Sequence, residues 1–364
     1  MSQPKRCRLS GDEGNYIQTR ENGSNMIDTT VMGSYPQPKW LVDHERLLGD
    51  GVPRVRNSEL WSVAESELDE AIEAATLLAI ADQERAGVDI ITDGEVGRES
   101  YFNHFANSLG GVSKDEIGVG VNRRGGTAEV PLVTGEIHRE EPIELASARF
   151  VREQTTRRVK VTVPGPFTLS QLADNRYYSD QRSLAIAYAE AVNQELRDLE
   201  AAGIDVLQLD EPYLQANPEA AAEIALEALA VATNGITATT CLHTCYGYAA
   251  YVANKSTGYP FLDPLKDAPV DWVEIESAQP NLPGSTVARL APRKVVLGVI
   301  DLGRETIETP EEVAARIRSA LDHIEPENLA VSPDCGMKYL PRAVAQAKLA
   351  AMVAGAEIVR SELH

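Results

Sequence analysis

The chain has 364 residues, of which 43% are apolar, so it can build a large core and has a usual length for one α/β barrel. Its formal net charge of −21 disfavours nucleic acids and anionic membranes as partners, because proteins bind these polyanions through Lys and Arg patches. Four cysteines, with no charged leader and no apolar run long enough to span a membrane, predict a soluble protein of the reducing cytoplasm.

The chain begins with a polar segment and continues with alternating strand and helix patterns. Residues 1–26 are rich in Gly, Asn, Arg and Glu without periodicity, which predicts a flexible tail or a docking arm. From residue 27 to residue 364, apolar runs alternate with amphipathic stretches, as in repeated β-α units. The predicted strands are Thr29–Ser34, Val88–Thr92, Val159–Val163, Asp205–Asp210, Ile236–His243, Val270–Glu276, Lys294–Ile300 and Ala330–Pro333. The predicted helices include Ser62–Ala86, Ser183–Ala202, Pro310–Ile324 and Leu340–Ala354, and the glycines predicted to end helices are Gly87, Gly203 and Gly355.

Eight strands, each followed by helical material, predict a single (β/α)8 TIM barrel, in which chemistry gathers at the C-terminal ends of the strands. The longest departure is Asn103–Arg149, between the second and third strands. We expect it to form a hairpin or an irregular excursion over the barrel mouth, or else a peripheral element or oligomer contact. Neither GxGxxG nor GxxxxGK[ST] occurs, so nucleotide binding has no local support.

A candidate metal site is split between the fifth and eighth strands. His243 and Cys245 are two residues apart, so in an extended strand they point to the same face, and Cys335 follows the eighth strand. Zinc prefers these ligand types, and three protein ligands with one open position are typical of a catalytic zinc centre. The alternative is that Cys241, Cys245 and Cys335 are small buried hydrophobic residues. Polar groups at nearly every predicted strand end favour the zinc site: Gly33, Ser34, Asp93, Glu95, Asp210, Glu211, His243, Cys245, Glu276, Asp301, Asp334 and Cys335.

These motifs resemble those of the cobalamin-independent methionine synthases, specifically of their catalytic C-terminal barrel in a short form. The matching segments are Met32-Gly33-Ser34-Tyr35-Pro36, Asp93-Gly94-Glu95, Gly165-Pro166-Phe167-Thr168, Gln208-Leu209-Asp210-Glu211-Pro212, His243-Thr244-Cys245-Tyr246, Glu274-Ile275-Glu276 and Pro333-Asp334-Cys335-Gly336. The resemblance implies that zinc is the cofactor, and the implied ligands are His243, Cys245, Glu276 and Cys335. Glu274 is the alternative to Glu276, and Cys241 is a further alternative ligand.

The resemblance also implies a substrate site. Gly33 and Ser34 would hold the carboxylate of homocysteine, while Glu95 and Asp210, the candidate catalytic residues, would hold its ammonium group. Asp301, at the seventh strand end, is a further candidate substrate-binding residue. Two carboxylates beside an ammonium group are favourable, whereas they would repel the sulfonate of coenzyme M, so this pair favours an amino-acid thiol.

The implied activity is a zinc-dependent S-methyltransferase that activates homocysteine as a zinc thiolate and methylates it to methionine. The donor would be of the 5-methyltetrahydrofolate type or a methylcobamide. Folate is disfavoured, because a family tryptophan that packs on the pterin is replaced at about Leu172 and the chain has no room for the second barrel that binds polyglutamate. Arg123 and Arg124 are candidate replacements for that barrel. The alternatives are an S-alkyltransferase like the epoxyalkane:coenzyme M transferases and a non-catalytic zinc-binding barrel; a homo-oligomer stays open.

Overall fold

The structure is a computed structural model that describes residues 26–49, 51–121, 126–252, 255 and 258–364. Residues 1–25, which make up nearly all of the predicted tail, and the pair Arg123 and Arg124 lie outside the described residues. No helix within the described ranges is both long enough and apolar enough to cross a bilayer.

The central element is an eight-stranded parallel sheet that closes into a barrel. The strands of the described chain are β1 (Asp28–Thr29), β2 (Ile90–Ile91), β3 (Gly110–Val112), β4 (Gly118–Val121), β5 (Thr127–Val130), β6 (Leu132–His138), β7 (Arg158–Pro164), β8 (Asp174–Asn175), β9 (Val206–Asp210), β10 (Thr239–Thr244), β11 (Trp272–Ile275), β12 (Lys294–Ile300) and β13 (Leu329–Pro333). The barrel order is β1-β13-β12-β11-β10-β9-β7-β2, and a parallel bridge between Thr30 and Ile90 joins its two ends. The predicted TIM barrel is confirmed, with its strands at the predicted places.

Helices surround the barrel. They are α1 (His44–Gly49), α2 (Leu68–Ala86), α3 (Asn103–Ser108), α4 (Leu145–Gln154), α5 (Pro166–Gln171), α6 (Gln181–Ala201), α7 (Tyr213–Ala216), α8 (Pro218–Ala232), α9 (Pro310–Leu321) and α10 (Arg342–Leu363). Gly87 ends α2 with φ of +88°, and its N–H donates to the carbonyl oxygen of Glu84, as expected for a C-terminal glycine.

The prediction that Gly355 ends the last helix is wrong, because α10 continues to Leu363. Gly355 instead allows α10 to pack closely on α9. A Cβ atom at this position would lie 2.5 Å from Cβ of Val313 and 2.7 Å from the carbonyl oxygen of Pro310. The glycine is therefore required by helix packing rather than by a left-handed turn.

Residues that alternate along the barrel strands fill the interior in layers. An apolar cluster near the N-terminal ends of the strands consists of Ile90, Val206, Cys241, Val296 and Ala330, with Trp272 packed against it. At the same end, the buried Asp28 forms ion pairs with Arg158 and Lys294. The positions toward the C-terminal ends of the strands are polar, which a TIM barrel uses for chemistry.

The segment between β2 and β7 forms the predicted excursion. It contains an antiparallel β4–β5 hairpin and an antiparallel β3–β6 pair, to which β8 adds in parallel. Ala128 and Glu129, on the β5 strand of the hairpin, line the large cavity at the C-terminal end of the barrel. This position favours the expectation that the excursion lies over the barrel mouth.

Candidate active site

The structure brings the three predicted soft ligands together. His243 lies near the end of β10, Cys245 follows that strand, and Cys335 follows β13. Each offers one ligand atom, and these three atoms lie within 4.8 Å of one another. The side chains are 3%, 5% and 4% exposed, so water does not compete freely for them. This group could hold one metal ion, and its nitrogen and sulfur donors fit zinc.

The three ligands influence one another electrostatically. Burial lowers the pKa of His243, but the neighbouring thiol of Cys245 and the carboxylates of Asp210 and Glu274 outweigh burial and raise this pKa to about 9. A hydrogen bond with Cys245 and burial together raise the pKa of Cys335 well above its ordinary value. A bound divalent cation would instead lower the pKa of these thiols, because a coordinated thiol loses its proton.

Glu276 is the fourth predicted ligand and lies directly after β11. It is fully buried, and burial raises its pKa well above the ordinary value. One carboxylate oxygen accepts a hydrogen bond from Nζ of Lys255 at 2.7 Å, while the other has no hydrogen-bond partner within the described residues. Asp334 supports the following loop by accepting from the backbone N–H groups of Ser277 and Ala278, at 3.0 and 2.9 Å.

The two alternative ligands precede assigned ligands by two residues: Glu274 is in register with His243 on the neighbouring strand, and Cys241 is two residues before His243. Glu274 accepts a hydrogen bond from Nζ of Lys160 at 3.1 Å, and both side chains are buried. Cys241 lies beside Glu274, with its sulfur 3.7 Å from Oε2, and belongs to the apolar cluster. Neither is in the His243, Cys245 and Cys335 group. Glu276 is not in that group either, but it lies close enough to Cys335 for its charge to raise the pKa of that thiol.

A cavity of about 870 Å³ opens beside the three soft ligands. The predicted substrate residues Gly33, Ser34, Glu95 and Asp210 line the same cavity as His243, Cys245 and Cys335. Its volume is within the range of small-molecule sites and leaves room for a second ligand beside an amino acid. Asp301 is not among the lining residues; it forms an ion pair with Arg304 at 3.2 Å.

The substrate residues approach each other closely. A Cβ atom on Gly33 would lie 2.2 Å from Oε1 of Glu95, so only glycine fits beside this carboxylate. Glu95 itself has φ of +51° and accepts a hydrogen bond from the hydroxyl of Thr162 at 2.8 Å. The Ser34 hydroxyl lies 3.3 Å from that of Tyr248. Local strain and close packing thus fix the positions of two polar groups that face the cavity.

Two buried carboxyl groups in the cavity bind protons more readily than usual. Burial is the main reason that the pKa of Glu95 is raised, and nearby Asp93 contributes, although Arg98 opposes the shift. Burial likewise raises the pKa of Asp210 to about 7, helped by Glu95 and opposed by His243. Both groups would gain from a cationic ligand, which favours their charged forms.

Several residues at the site lie outside the sequence-based prediction. Arg54 lines the cavity and donates a hydrogen bond to the hydroxyl of Tyr213 at 3.2 Å. Tyr248 contacts Ser34, and Lys255 binds Glu276. The sequence holds a signal for the contact between Tyr248 and Ser34, because Tyr248 comes shortly after the end of β10. Arg54 precedes the first barrel helix in a segment without periodicity, so no local pattern indicates its role.

Comparisons with known proteins agree with this arrangement. Residues 27–358 match the family model described as cobalamin-independent synthase, catalytic domain. The methionine synthase of Sulfolobus acidocaldarius is 36% identical over 341 residues, which cover 93% of this chain and 94% of that protein. The methionine synthase of Thermococcus kodakarensis is 34% identical over 342 residues, covering 93% and 95% of the two chains.

A solved structure has the same fold. A B12-independent methionine synthase from Shewanella sp. W3-18-1, in complex with selenomethionine, superposes with a TM-score of 0.84 at 32% sequence identity. The match covers 93% of this chain and 98% of that one. The chain therefore belongs to the family of cobalamin-independent methionine synthases, and it is a methyltransferase.

Proposed function

We propose that the protein makes methionine by methylating homocysteine at a zinc centre held by His243, Cys245, Glu276 and Cys335. The observation that carries this proposal is the convergence of the three soft ligand atoms within 4.8 Å, beside a cavity with two buried carboxyl groups. When bound, zinc supplies a positive charge that lowers the pKa of a coordinated thiol, so that the sulfur can attack a methyl group at neutral pH.

Glu276, rather than Glu274, is the carboxylate that we assign to the metal. Each of the two carboxylates has one lysine partner and one oxygen without a hydrogen-bond partner among the described residues. Glu276 is favoured because it follows β11 as Cys245 follows the paired strand β10, and because its charge raises the pKa of Cys335. If zinc is bound, Glu276 would be the one oxygen ligand beside the sulfur ligands Cys245 and Cys335, and therefore the ligand that a substrate thiol would be expected to replace.

The amino-acid part of homocysteine would bind polar groups that line the same cavity as the metal ligands. Ser34 offers its hydroxyl to the carboxylate, while Glu95 and Asp210 offer acceptors to the ammonium group. The raised pKa of each carboxyl group reflects burial without a full cationic partner, and an ammonium group would supply that partner. The sulfonate of coenzyme M has no positive charge to offer here, which argues against the epoxyalkane:coenzyme M transferase reaction. The related Shewanella protein was solved with selenomethionine, an analogue of the proposed product.

The test supplies zinc-loaded protein with homocysteine or coenzyme M. Each thiol is paired with 5-methyltetrahydrofolate, methylcobalamin or epoxypropane, and the S-alkylated products are identified by mass spectrometry. We expect methionine from homocysteine with a methyl donor, and loss of product in Cys335→Ala. Product only from coenzyme M and epoxypropane would assign the alternative S-alkyltransferase activity. No product from any pair, with zinc bound, would leave a non-catalytic zinc-binding barrel and contradict the proposal.

A further inference from the structure

Arg54 is a cationic side chain on the cavity wall that has no anionic partner among the described residues. It lies between α1 and α2 in the chain, and its guanidinium donates to the Tyr213 hydroxyl at 3.2 Å. No carboxylate of the described residues forms an ion pair with it, and its Nη1 is buried without a hydrogen-bond acceptor there. By contrast Arg56, which also lines the cavity, pairs with Glu99 at 3.1 Å.

An unpaired guanidinium nitrogen shielded from water is costly unless a ligand supplies an acceptor. The free energy of leaving such a group unsatisfied is about 1–3 kcal/mol, and more for a charged group. The natural complement of a guanidinium is a carboxylate or a phosphate, which it can bind through two parallel hydrogen bonds. The cavity beside Arg54 therefore has a binding position for an anion.

The position of Arg54 separates this anion from the amino-acid thiol. Ser34, which we assign to the homocysteine carboxylate, lies against Gly336, the residue after Cys335. A Cβ atom on Gly336 would be 2.1 Å from the hydroxyl oxygen of Ser34. Arg54 binds Tyr213 instead, at the start of α7, which packs against α5. Leu172, the residue after α5, lines the cavity on this second side.

We propose that Arg54 binds an anionic group, a carboxylate or a phosphate, of the methyl donor, and that the Tyr213 hydroxyl holds the guanidinium in place. This inference rests on the proposed function and adds the chemical class of the second substrate. The cavity of about 870 Å³ has room for a donor beside homocysteine. The two sources of such an anion are the glutamate tail of a folate and the nucleotide phosphate of a cobamide.

The experiment measures donor binding directly, so it does not depend on turnover. Dissociation constants are determined by calorimetry for two matched pairs: 5-methyltetrahydrofolate with the primary amide of 5-methyltetrahydropteroate, which lacks every carboxylate, and methylcobalamin with methylcobinamide, which lacks the phosphate. In one pair, Arg54→Gln should weaken binding of the member that carries the carboxylate or phosphate about tenfold to a hundredfold and leave binding of the member without it within about twofold. Arg54→Lys should retain part of the affinity, and Tyr213→Phe should lose part of it.

The control is Arg46→Gln, an exposed arginine on α1 that pairs with Asp43 at 3.7 Å and does not line the cavity. It should change no dissociation constant. The proposal is overturned if Arg54→Gln binds both members of each pair as the wild type does, or if the wild type binds neither pair. It is also overturned if the loss appears in homocysteine binding and disappears with 3-mercaptopropylamine, which lacks the carboxylate. Failure of the proposed function would instead appear as donor binding without methionine formation.

Discussion

Asp210 is the residue at which the charge of the cavity is most easily tested. It is 7% exposed and accepts a hydrogen bond from Nε2 of Gln208 at 2.7 Å. Burial raises its pKa to about 7, which is close to physiological pH. If Asp210 binds the ammonium group of the substrate, that group binds best when the carboxyl group is ionised.

We therefore predict that methionine binds more tightly as the pH rises through about 7. Methionine has no thiol, so its binding reports Asp210 without the ionisation of homocysteine. At pH 6 about one tenth of Asp210 would carry charge, which should weaken the apparent affinity about tenfold relative to pH 8. Calorimetric titration of the metal-free protein between pH 5.5 and 8 measures the effect, because a bound cation would itself lower the pKa of Asp210.

In Asp210→Asn the dissociation constant of methionine should not vary over this pH range. At pH 8 the binding free energy should be less favourable than that of the wild type by about 1–3 kcal/mol. Asp301→Asn is the matched control, because Asp301 lies away from the lining of the cavity and should leave the curve unchanged. A wild-type curve without pH dependence, or one that Asp301→Asn abolishes, would remove Asp210 from the ammonium site.

At the residue scale, sequence spacing was sufficient for His243 and Cys245, because two residues of one strand must share a face. It was insufficient for choosing between Glu274 and Glu276, since both face the barrel interior. The proposed choice depends on contacts between distant parts of the chain, because Glu276 raises the pKa of Cys335, which follows β13. Arg54 was missed for the same reason: its role depends on Tyr213, to which only the fold brings it close.

At the scale of elements, the buried pair Lys160 and Glu274 connects β7 and β11 across the barrel interior. Both side chains are at most 1% exposed. Burying an ion pair has a desolvation penalty that the attraction between the two charges offsets. Removing one partner leaves the other charge buried and uncompensated, whereas removing both leaves no buried charge. The pair therefore predicts strong non-additivity.

We expect Lys160→Met to lower the free energy of unfolding by about 3–5 kcal/mol and the double variant Lys160→Met/Glu274→Met to recover most of this loss. Urea unfolding of the metal-free protein measures both values without a contribution from zinc. The exposed pair Arg318 and Glu362, on α9 and α10, is the control, and its double-mutant coupling should be within about 1 kcal/mol. Additive effects at Lys160 and Glu274 would contradict the buried pairing.

The elements themselves were predictable where local rules acted alone. Lys294–Ile300 was predicted with its observed bounds, because a β-branched run in a parallel sheet is buried on both faces. Gly355 was misjudged because the same residue type serves as a helix end and as a close-packing site. Only the neighbouring α9 distinguishes the two, and its approach is a tertiary property.

At the scale of the whole molecule, the proposed function places both substrates in the one cavity that contains the candidate metal ligands. Leu172 lines the cavity where the resemblance places a tryptophan that packs on a pterin, so one stacking contribution, about 1 kcal/mol, is missing. Arg54 can bind the first glutamate of a folate, but additional glutamates would extend beyond it.

We predict that the protein uses the mono- and triglutamate forms of 5-methyltetrahydrofolate at nearly equal rates, and a smaller or non-folate donor faster. Values of kcat/KM for the donors at saturating homocysteine measure this. A strong preference for the triglutamate form would contradict the prediction and would assign tail binding to another surface, for which Arg123 and Arg124 are the candidates.

The central claim, that homocysteine sulfur binds a zinc ion held by His243, Cys245, Glu276 and Cys335, is tested most directly by X-ray absorption at the zinc edge. The measurement counts sulfur neighbours in zinc-loaded protein before and after homocysteine is added. The account predicts an increase from about two to about three, with one oxygen neighbour lost as Glu276 is displaced. In Cys335→Ser both counts should be lower by about one. An unchanged sulfur count in the wild type, with homocysteine bound, would contradict the account.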